Sequence, residues 1–157
     1  MPESIEQERG LPLALRAAYM ALHRSTEIAF AKHGVTADQF VVLLALHECR
    51  TLTQRELADR IASDSSTVRA MLVLLEKNGF VQRGIHPTDS RAKTVELTAA
   101  GKRKLRSLWR IGQPIRDQMY GCMSTEESKL LIALLRKMSS TLGSGHMIAK
   151  KHPEGNC

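Results

Sequence analysis

The sequence predicts a mainly α-helical chain carrying one small β-wing. Three observations predict it. Residues 53–75 hold two helical segments separated by a polar turn, residues 81–98 read as a tight basic hairpin, and strongly apolar helical stretches lie toward both ends of the chain.

Each element follows from local chemistry. Leu11, Leu15, Ala18, Leu22 and Ala29 form one helical stripe and Leu13, Ala17, Met20 and Ile28 a second, so a first helix within about residues 10–33 is apolar on two faces. Thr36 and Gln39 cap the next helix, whose Phe40, Leu43, Leu44 and His47 are expected to form a core linking both halves of the chain. Thr53 with Glu56 is a capping box, and Leu52 against Leu57 is a hydrophobic staple, so a short helix starts at Thr53 with Leu57, Ala58 and Ile61 as its apolar stripe. It stops at the polar run Ser63-Asp64-Ser65-Ser66, where Ser63 or Asp64 can cap a second helix running to a C-terminal Gly79. In that helix Val68, Met71, Leu72 and Leu75 recur at i, i+3, i+4 and i+7 as a core face. Ser65, Ser66, Arg69, Ala70 and Val73 fall on the other side, and Leu74 is out of place if its position is exposed.

Val81 begins a short strand, Pro87-Thr88-Asp89 supplies turn chemistry, and Thr94-Val95-Glu96-Leu97 returns with Val95 and Leu97 facing one way and Thr94 and Glu96 the other. That is a two-stranded wing carrying Arg83, Arg91 and Lys93, long cations able to reach phosphates or a minor groove. On a lone hairpin the same charges read more readily as ordinary solvated loop residues. The two helices before it change the reading, because a pair joined by a few polar residues has helix-turn-helix spacing. The whole is then a winged helix-turn-helix core. Hydroxyls and one Arg on the second helix suit phosphates and base edges, while Ala70 and Val73 suit thymine methyls.

At these residues the chain resembles the MarR family of bacterial transcription regulators. The pattern D-x-R-x-x-x-x-x-L-T matches at Asp89, Arg91, Leu97 and Thr98, with Pro87 and Lys93 beside it; the likeness of layout covers about residues 10–142 and the motif about 60–101. The resemblance implies that Arg91 is the wing-tip minor-groove residue, oriented by Asp89, and that Ser65, Ser66, Thr67, Arg69 and Ala70 lie on the recognition helix. The chain departs from the commonest pattern at Ala70, where a second basic residue is frequent. The resemblance also implies a homodimer, a pseudo-palindromic operator and repression relieved by a small molecule, often an aromatic acid.

Composition agrees. The chain has 157 residues, a net charge of +7, and between Arg50 and Arg110 thirteen Lys or Arg against six Asp or Glu, an excess equal to the whole net charge. This is the footprint of a nucleic-acid surface. Aromatic residues make up only 4%, too few for a base-stacking platform, so duplex DNA is the expected partner.

The expected organisation is a single domain over 1–157, with the DNA-binding lobe at about 36–98, dimerisation helices at about 10–33 and 99–142, and a flexible tail at 143–157. Thr98 caps a helix containing Leu105, Leu108, Trp109, Ile115 and Met119 that Pro114 kinks. Ser124-Thr125-Glu126-Glu127 is a further capping box opening a last helix with Leu130, Leu131, Leu134, Leu135 and Met138. Surplus apolar surface on these terminal helices points to a homodimer or to an intramolecular bundle. Tyr19, His23, Phe40, Leu44 and Trp109 are the candidate effector pocket, each apolar member reading equally as plain core.

No nucleophile–base order, paired carboxylates, phosphate loop or metal motif appears, so no enzyme, metal or cofactor is expected. The start Met-Pro-Glu-Ser-Ile-Glu-Gln-Glu has no basic stretch leading into an apolar one, and no apolar run approaches the roughly 18 residues that cross a bilayer. A cytoplasmic, bacterial or archaeal protein associated with the nucleoid through DNA is expected, without a membrane partner. Cys49, Cys122 and Cys157 are odd in number and far apart, which fits a reducing compartment. The alternative mechanism is a thiol-based redox regulator using Cys122. Peroxide-sensing members of the family place a reactive Cys near the start of the first long helix, and here the stretch from Arg16 to Leu22 holds none.

Overall fold

The computed structural model describes residues 3–86, 88–89 and 91–144. In order these form α1 (Glu3–Phe30), α2 (Ala37–Cys49), β1 (Thr51–Thr53), α3 (Gln54–Arg60), α4 (Ser65–Lys77), β2 (Val81–Ile85), β3 (Lys93–Leu97), α5 (Ala99–Ile111), α6 (Gln113–Gly121) and α7 (Thr125–Ser144). Packing divides the chain into two units, residues 1–113 and 114–157.

The core of the first unit is built from Phe30, Val42, Leu43, Leu46, Leu57, Val68, Leu72, Leu75, Val95 and Leu108, all fully buried. At roughly 1.5 to 3 kcal/mol for each large apolar side chain buried, this cluster dominates what holds α2 to α5 together. The starts of α2, α3, α4 and α5 are capped as expected. Thr36 and Gln39 form a complete capping box on α2, Thr53 and Glu56 another on α3, and Thr98 Oγ1 accepts the Gly101 N–H at 3.0 Å at the start of α5. Of the two candidate caps for α4, Asp64 is the one used. Gly79, at φ 72°, ends that helix in the left-handed conformation that glycine adopts without steric cost.

The face of α2 differs from the expected one. Gln39, Val42, Leu43 and Leu46 are buried, whereas Phe40 and Leu44 are half-buried and His47 is exposed. The helix is apolar nearly all round, so its period does not single out one face, and the packing of α3, α5 and β3 against it decides.

The sheet has one strand more than expected. Thr51–Thr53 pairs with the far side of β3, giving the antiparallel order β1-β3-β2 with Leu52 opposite Val95 and Arg83 opposite Val95 from the other side. Central position explains a second correction: Thr94, expected to face outward, is buried, because Gly84 lies beside it in β2 and Thr53 in β1. Gln82 Nε2 donates to Glu96 Oε1 across the β2–β3 ladder at 2.5 Å.

The start of α5 is pinned to the turn between α4 and β2. The Thr98 N–H donates to Phe80 O at 3.1 Å, Thr98 Oγ1 donates to Gly79 O at 2.6 Å, and Lys104 Nζ sits 5.5 Å from the Phe80 ring centre while donating to His33 O. Instead of a single helix kinked at Pro114, the chain ends α5 at Gly112 and starts α6 at Gln113. Proline costs little in a first turn, where its missing N–H has no acceptor, so it begins a new helix here.

In the second unit Ser124 and Glu127 cap α7 reciprocally, with Ser124 N–H to Glu127 Oε2 at 2.7 Å and Glu127 N–H to Ser124 Oγ at 3.1 Å. Helix α7 runs two residues past the expected end at Leu142, to Ser144; the rest of the expected tail lies outside the described residues. Leu130, Leu131, Ile132, Leu134 and Leu135 on α7 are exposed in this single chain, as are Leu11, Leu13, Leu22 and Ile28 on α1.

Candidate nucleic-acid interface

Helix α4 is presented by its own amphipathicity. Val68, Leu72 and Leu75 are buried with Met71 beside them, and the helical period puts Ser66, Ala70, Val73 and Lys77 in one line on the opposite, exposed side. Ser65 and Arg69 flank that line. Leu74, out of place in the sequence, is 51% exposed next to the equally exposed Val73, so the outward face carries an apolar strip between its polar ends. Thr67 turns toward α1 and α2, where it lines a small cleft with Tyr19, Asp38 and Ser63.

Asp64 organises the start of this helix. Its Oδ1 accepts the Thr67 N–H at 2.8 Å and the Ser66 hydroxyl, and its Oδ2 accepts the Thr67 hydroxyl at 2.6 Å. The Ser66 hydroxyl, followed by the hydroxyl and N–H of Thr67, holds the Asp64 carboxyl well below the usual carboxylate range, since every one of these bonds favours the charged form. Gln54 Nε2 donates to Ser65 O at 3.1 Å and ties the first turn of α3 to that of α4. The turn between them passes through Ala62 at φ 53°, a left-handed position held by a non-glycine residue.

The wing presents some of its cations and not others. Arg83, expected to reach DNA freely, is paired with Glu76 of α4, Nε to Oε2 at 3.1 Å, so its charge is largely met within the protein. Asp89 Oδ1 accepts the Arg91 backbone N–H at 3.0 Å and Asp89 O accepts the Ala92 N–H at 3.0 Å. Asp89 therefore shapes the backbone that carries Arg91. Arg91 and Lys93 are exposed, and neither makes an ion pair among the described residues. Pro87 and Ser90 of the expected turn lie outside the described residues.

The five candidate pocket residues do not share one cavity. Leu44 and Trp109 line a cavity of about 710 Å³ between α2 and α5, together with His47, Lys102, Leu105, Arg106 and Arg110. Phe40 packs behind it, its ring 6.4 Å from Trp109 and 5.2 Å from Phe30. Tyr19 lines the smaller cleft, of about 210 Å³, and His23 stands beside Tyr19 with Nε2 3.5 Å from Asp38 Oδ1. Sequence reasoning missed Lys102, Arg106 and Arg110. Their spacing of four along α5, next to Leu105 and Trp109, was the available signal, and it was absorbed into the general basic footprint. Among the described residues none of these three cations makes an ion pair.

Cys122 lies exposed in the turn before α7, its thiol donating to Met119 O at 3.1 Å, and Cys49 is half-buried at the end of α2. Cys157 lies outside the described residues. Among the described residues no cluster of three or more His, Cys, Asp or Glu side chains could hold a metal, and no helix is long and apolar enough to cross a membrane.

A solvent-facing helix capped by an acidic residue, held by a preceding short helix and followed by a basic β-wing, defines a winged helix-turn-helix DNA-binding protein. Comparison with known proteins narrows the class. The MarR family model matches residues 35–93. The transcriptional regulator HosA of Escherichia coli O157:H7 is 32% identical over 107 residues, 68% of this chain and 79% of HosA. Among solved structures, a mutant of Escherichia coli MarR complexed with operator DNA has 25% identity and a TM-score of 0.73 over 82% of this chain and 93% of that one. Bordetella bronchiseptica BpsR, solved in a study of the regulation of its DNA binding by 6-hydroxynicotinic acid, has 27% identity and a TM-score of 0.73 over 83% of this chain and 98% of BpsR. The chain belongs to the MarR family: it is a DNA-binding transcriptional regulator and not an enzyme.

Proposed function

We propose that this regulator binds a pseudo-palindromic operator as a homodimer and represses transcription until a small aromatic carboxylate enters the cavity between α2 and α5. The observation that carries the effector is the two-striped face of α5. Leu105 and Trp109, with Leu44 of α2, give the cavity an apolar floor, while Lys102, Arg106 and Arg110 line it with cations. A planar ring rests on such a floor, and a carboxylate pairs with a guanidinium through two parallel hydrogen bonds. The cavity lies against the helix that Thr98 pins to the α4–β2 turn, so an occupant that moves α5 shifts the reading elements. It releases DNA only if it binds the non-binding conformation more tightly.

The dimer reading rests on the apolar residues exposed on α1 and, separately, on α7. Two recognition helices then meet half-sites about one duplex turn apart, roughly 34 to 36 Å, with Ser65, Ser66, Arg69, Ala70 and Val73 in the major groove and Arg91 in the minor groove. DNA as partner, and the absence of a membrane-crossing helix among the described residues, support a cytoplasmic site of action.

The test uses Trp109, the only tryptophan of the chain, as reporter. Benzoate, hydroxybenzoates and hydroxynicotinates are expected to change its fluorescence and to lower operator affinity together, with acetate and benzamide inert. Arg106→Gln is expected to raise the half-saturating concentration about tenfold, as loss of one charged hydrogen-bonded partner does, with operator affinity retained. A fluorescence change without any loss of operator binding would overturn the effector reading.

A further inference from the structure

We propose that Asp64 fixes the Ser66 hydroxyl as an acceptor toward the major groove, so that each half-site must offer it an exocyclic amine, adenine N6 or cytosine N4. The inference rests on the reading that α4 lies in the major groove, and deepens it by assigning the hydrogen-bond polarity of its first turn.

A serine hydroxyl has one proton to donate and two lone pairs that accept. The Ser66 proton is directed at Asp64 Oδ1, and the neighbouring Thr67 hydroxyl proton at Asp64 Oδ2. What Ser66 still offers outward is a lone pair. Phosphate oxygens, guanine O6 and N7, and thymine O4 are acceptors too and gain nothing from it. The donors on the major-groove edge are adenine N6 and cytosine N4 alone. The Ser66 and Thr67 hydroxyl protons are therefore not free for phosphates, one of the two roles that residue type alone implied.

Position supports the same assignment. Ser66 stands opposite the buried Val68 and Leu72, at the head of the line that continues through Ala70 and Val73, so it faces whatever α4 faces. Thr67 is clamped in the same way but lines the small cleft beside α1 and α2, and so takes no part in readout. Asp64 stays ionised because these hydroxyls and the Thr67 N–H all donate to it. Its charge repels carbonyl edges and phosphates and favours amine edges, which reinforces what the Ser66 lone pair selects. Asp64 is thus a positioning residue and Ser66 the contact.

The experiment is selection from randomised duplexes with the full-length wild type and Ser66→Ala, followed by affinity measurements at fixed salt. One half-site position is expected to lose its preference in Ser66→Ala and to be adenine or cytosine in wild type. Replacing that base by its amine-less analogue, deoxynebularine or deoxyzebularine, is expected to weaken wild-type binding about tenfold and Ser66→Ala less than about twofold. Asp64→Gly, which still allows a capped helix start, frees the hydroxyl to rotate, and discrimination against guanine or thymine at that position is expected to fall from about tenfold to about threefold. Guanine or thymine at the Ser66 position in wild type overturns the proposal, as does a Ser66→Ala protein that binds all duplexes more weakly with unchanged preference. If Asp64→Gly does not fold, the Ser66→Ala and analogue comparisons still decide. Failure of the underlying major-groove reading looks different: wild type then selects no half-site at all.

Discussion

Alanine at Gly101 is expected to destabilise the protein by about 3 to 4 kcal/mol, one of the largest effects available from a single methyl group. A Cβ built there lies 1.9 Å from Phe80 O, 2.9 Å from Phe80 C and 3.2 Å from Phe80 Cα. All three are backbone atoms of the α4–β2 turn, so no side-chain rotation relieves the contact, and α5 must withdraw from the turn by more than an ångström. Overpacking of this kind costs about 3 kcal/mol. Withdrawal also strains the bonds from Thr98 N–H to Phe80 O and from Thr98 Oγ1 to Gly79 O, each worth about 1 kcal/mol. Against this, alanine gains about 1 kcal/mol over glycine in helix propensity. The assay is urea denaturation followed by circular dichroism at one protein concentration, since association couples to apparent stability. Gly10→Ala in α1 is the control: its Cβ meets nothing within 4 Å, and the propensity gain of up to about 1 kcal/mol is expected alone. A loss below about 0.5 kcal/mol for Gly101→Ala would refute the close approach of α5 to the turn.

Arg91→Ala is expected to weaken operator binding by about 1 to 3 kcal/mol if the wing tip enters a groove, and Arg83→Ala by less because Glu76 already pairs with that side chain; equal losses in fluorescence-anisotropy titrations would contradict the assignment. The Asp64 carboxyl is lowered in the folded protein relative to its ordinary value, so its stabilising contribution is complete above the usual aspartate pKa of about 3.9 and disappears as pH falls through the lower folded value. The stability gap between wild type and Asp64→Asn should accordingly begin to narrow below about pH 4 and shrink further as pH falls toward the folded value, and a gap that widens on acidification would reverse the sign. Mild peroxide is expected to leave operator affinity unchanged in both wild type and Cys122→Ser; release of wild type alone would replace the ligand-responsive mechanism by a redox one.

The parts of the fold legible in the sequence were those written within a few residues. The boxes Thr36–Gln39, Thr53–Glu56 and Ser124–Glu127 set three helix starts because cap and partner are three positions apart and bond each other wherever the chain goes. The core face of α4 was legible because Val68, Met71, Leu72 and Leu75 recur at helical spacing, although Val73 and Leu74 add an apolar strip on the outward face. Helix α2 lacked so distinct a stripe, and its buried face shifted to Val42, Leu43 and Leu46. The short strand β1 carried no alternation of its own, and only its pairing with β3 creates it.

The candidate site divides along the same line. By itself the sequence determined a winged helix-turn-helix, the outward residues of its recognition helix and the basic wing, because periodicity, caps and turn residues act over one or two helical turns and need no distant partner. Tertiary structure decided that Arg83 is paired with Glu76, that Asp64 claims the hydroxyl of Ser66, and that Lys102, Arg106 and Arg110 line a cavity with Leu44 and Trp109. Those outcomes depend on which donor lies within about 3 Å of which acceptor, and on how α2 and α5 are held apart. Chain spacing does not encode either until the core has set the distance between elements.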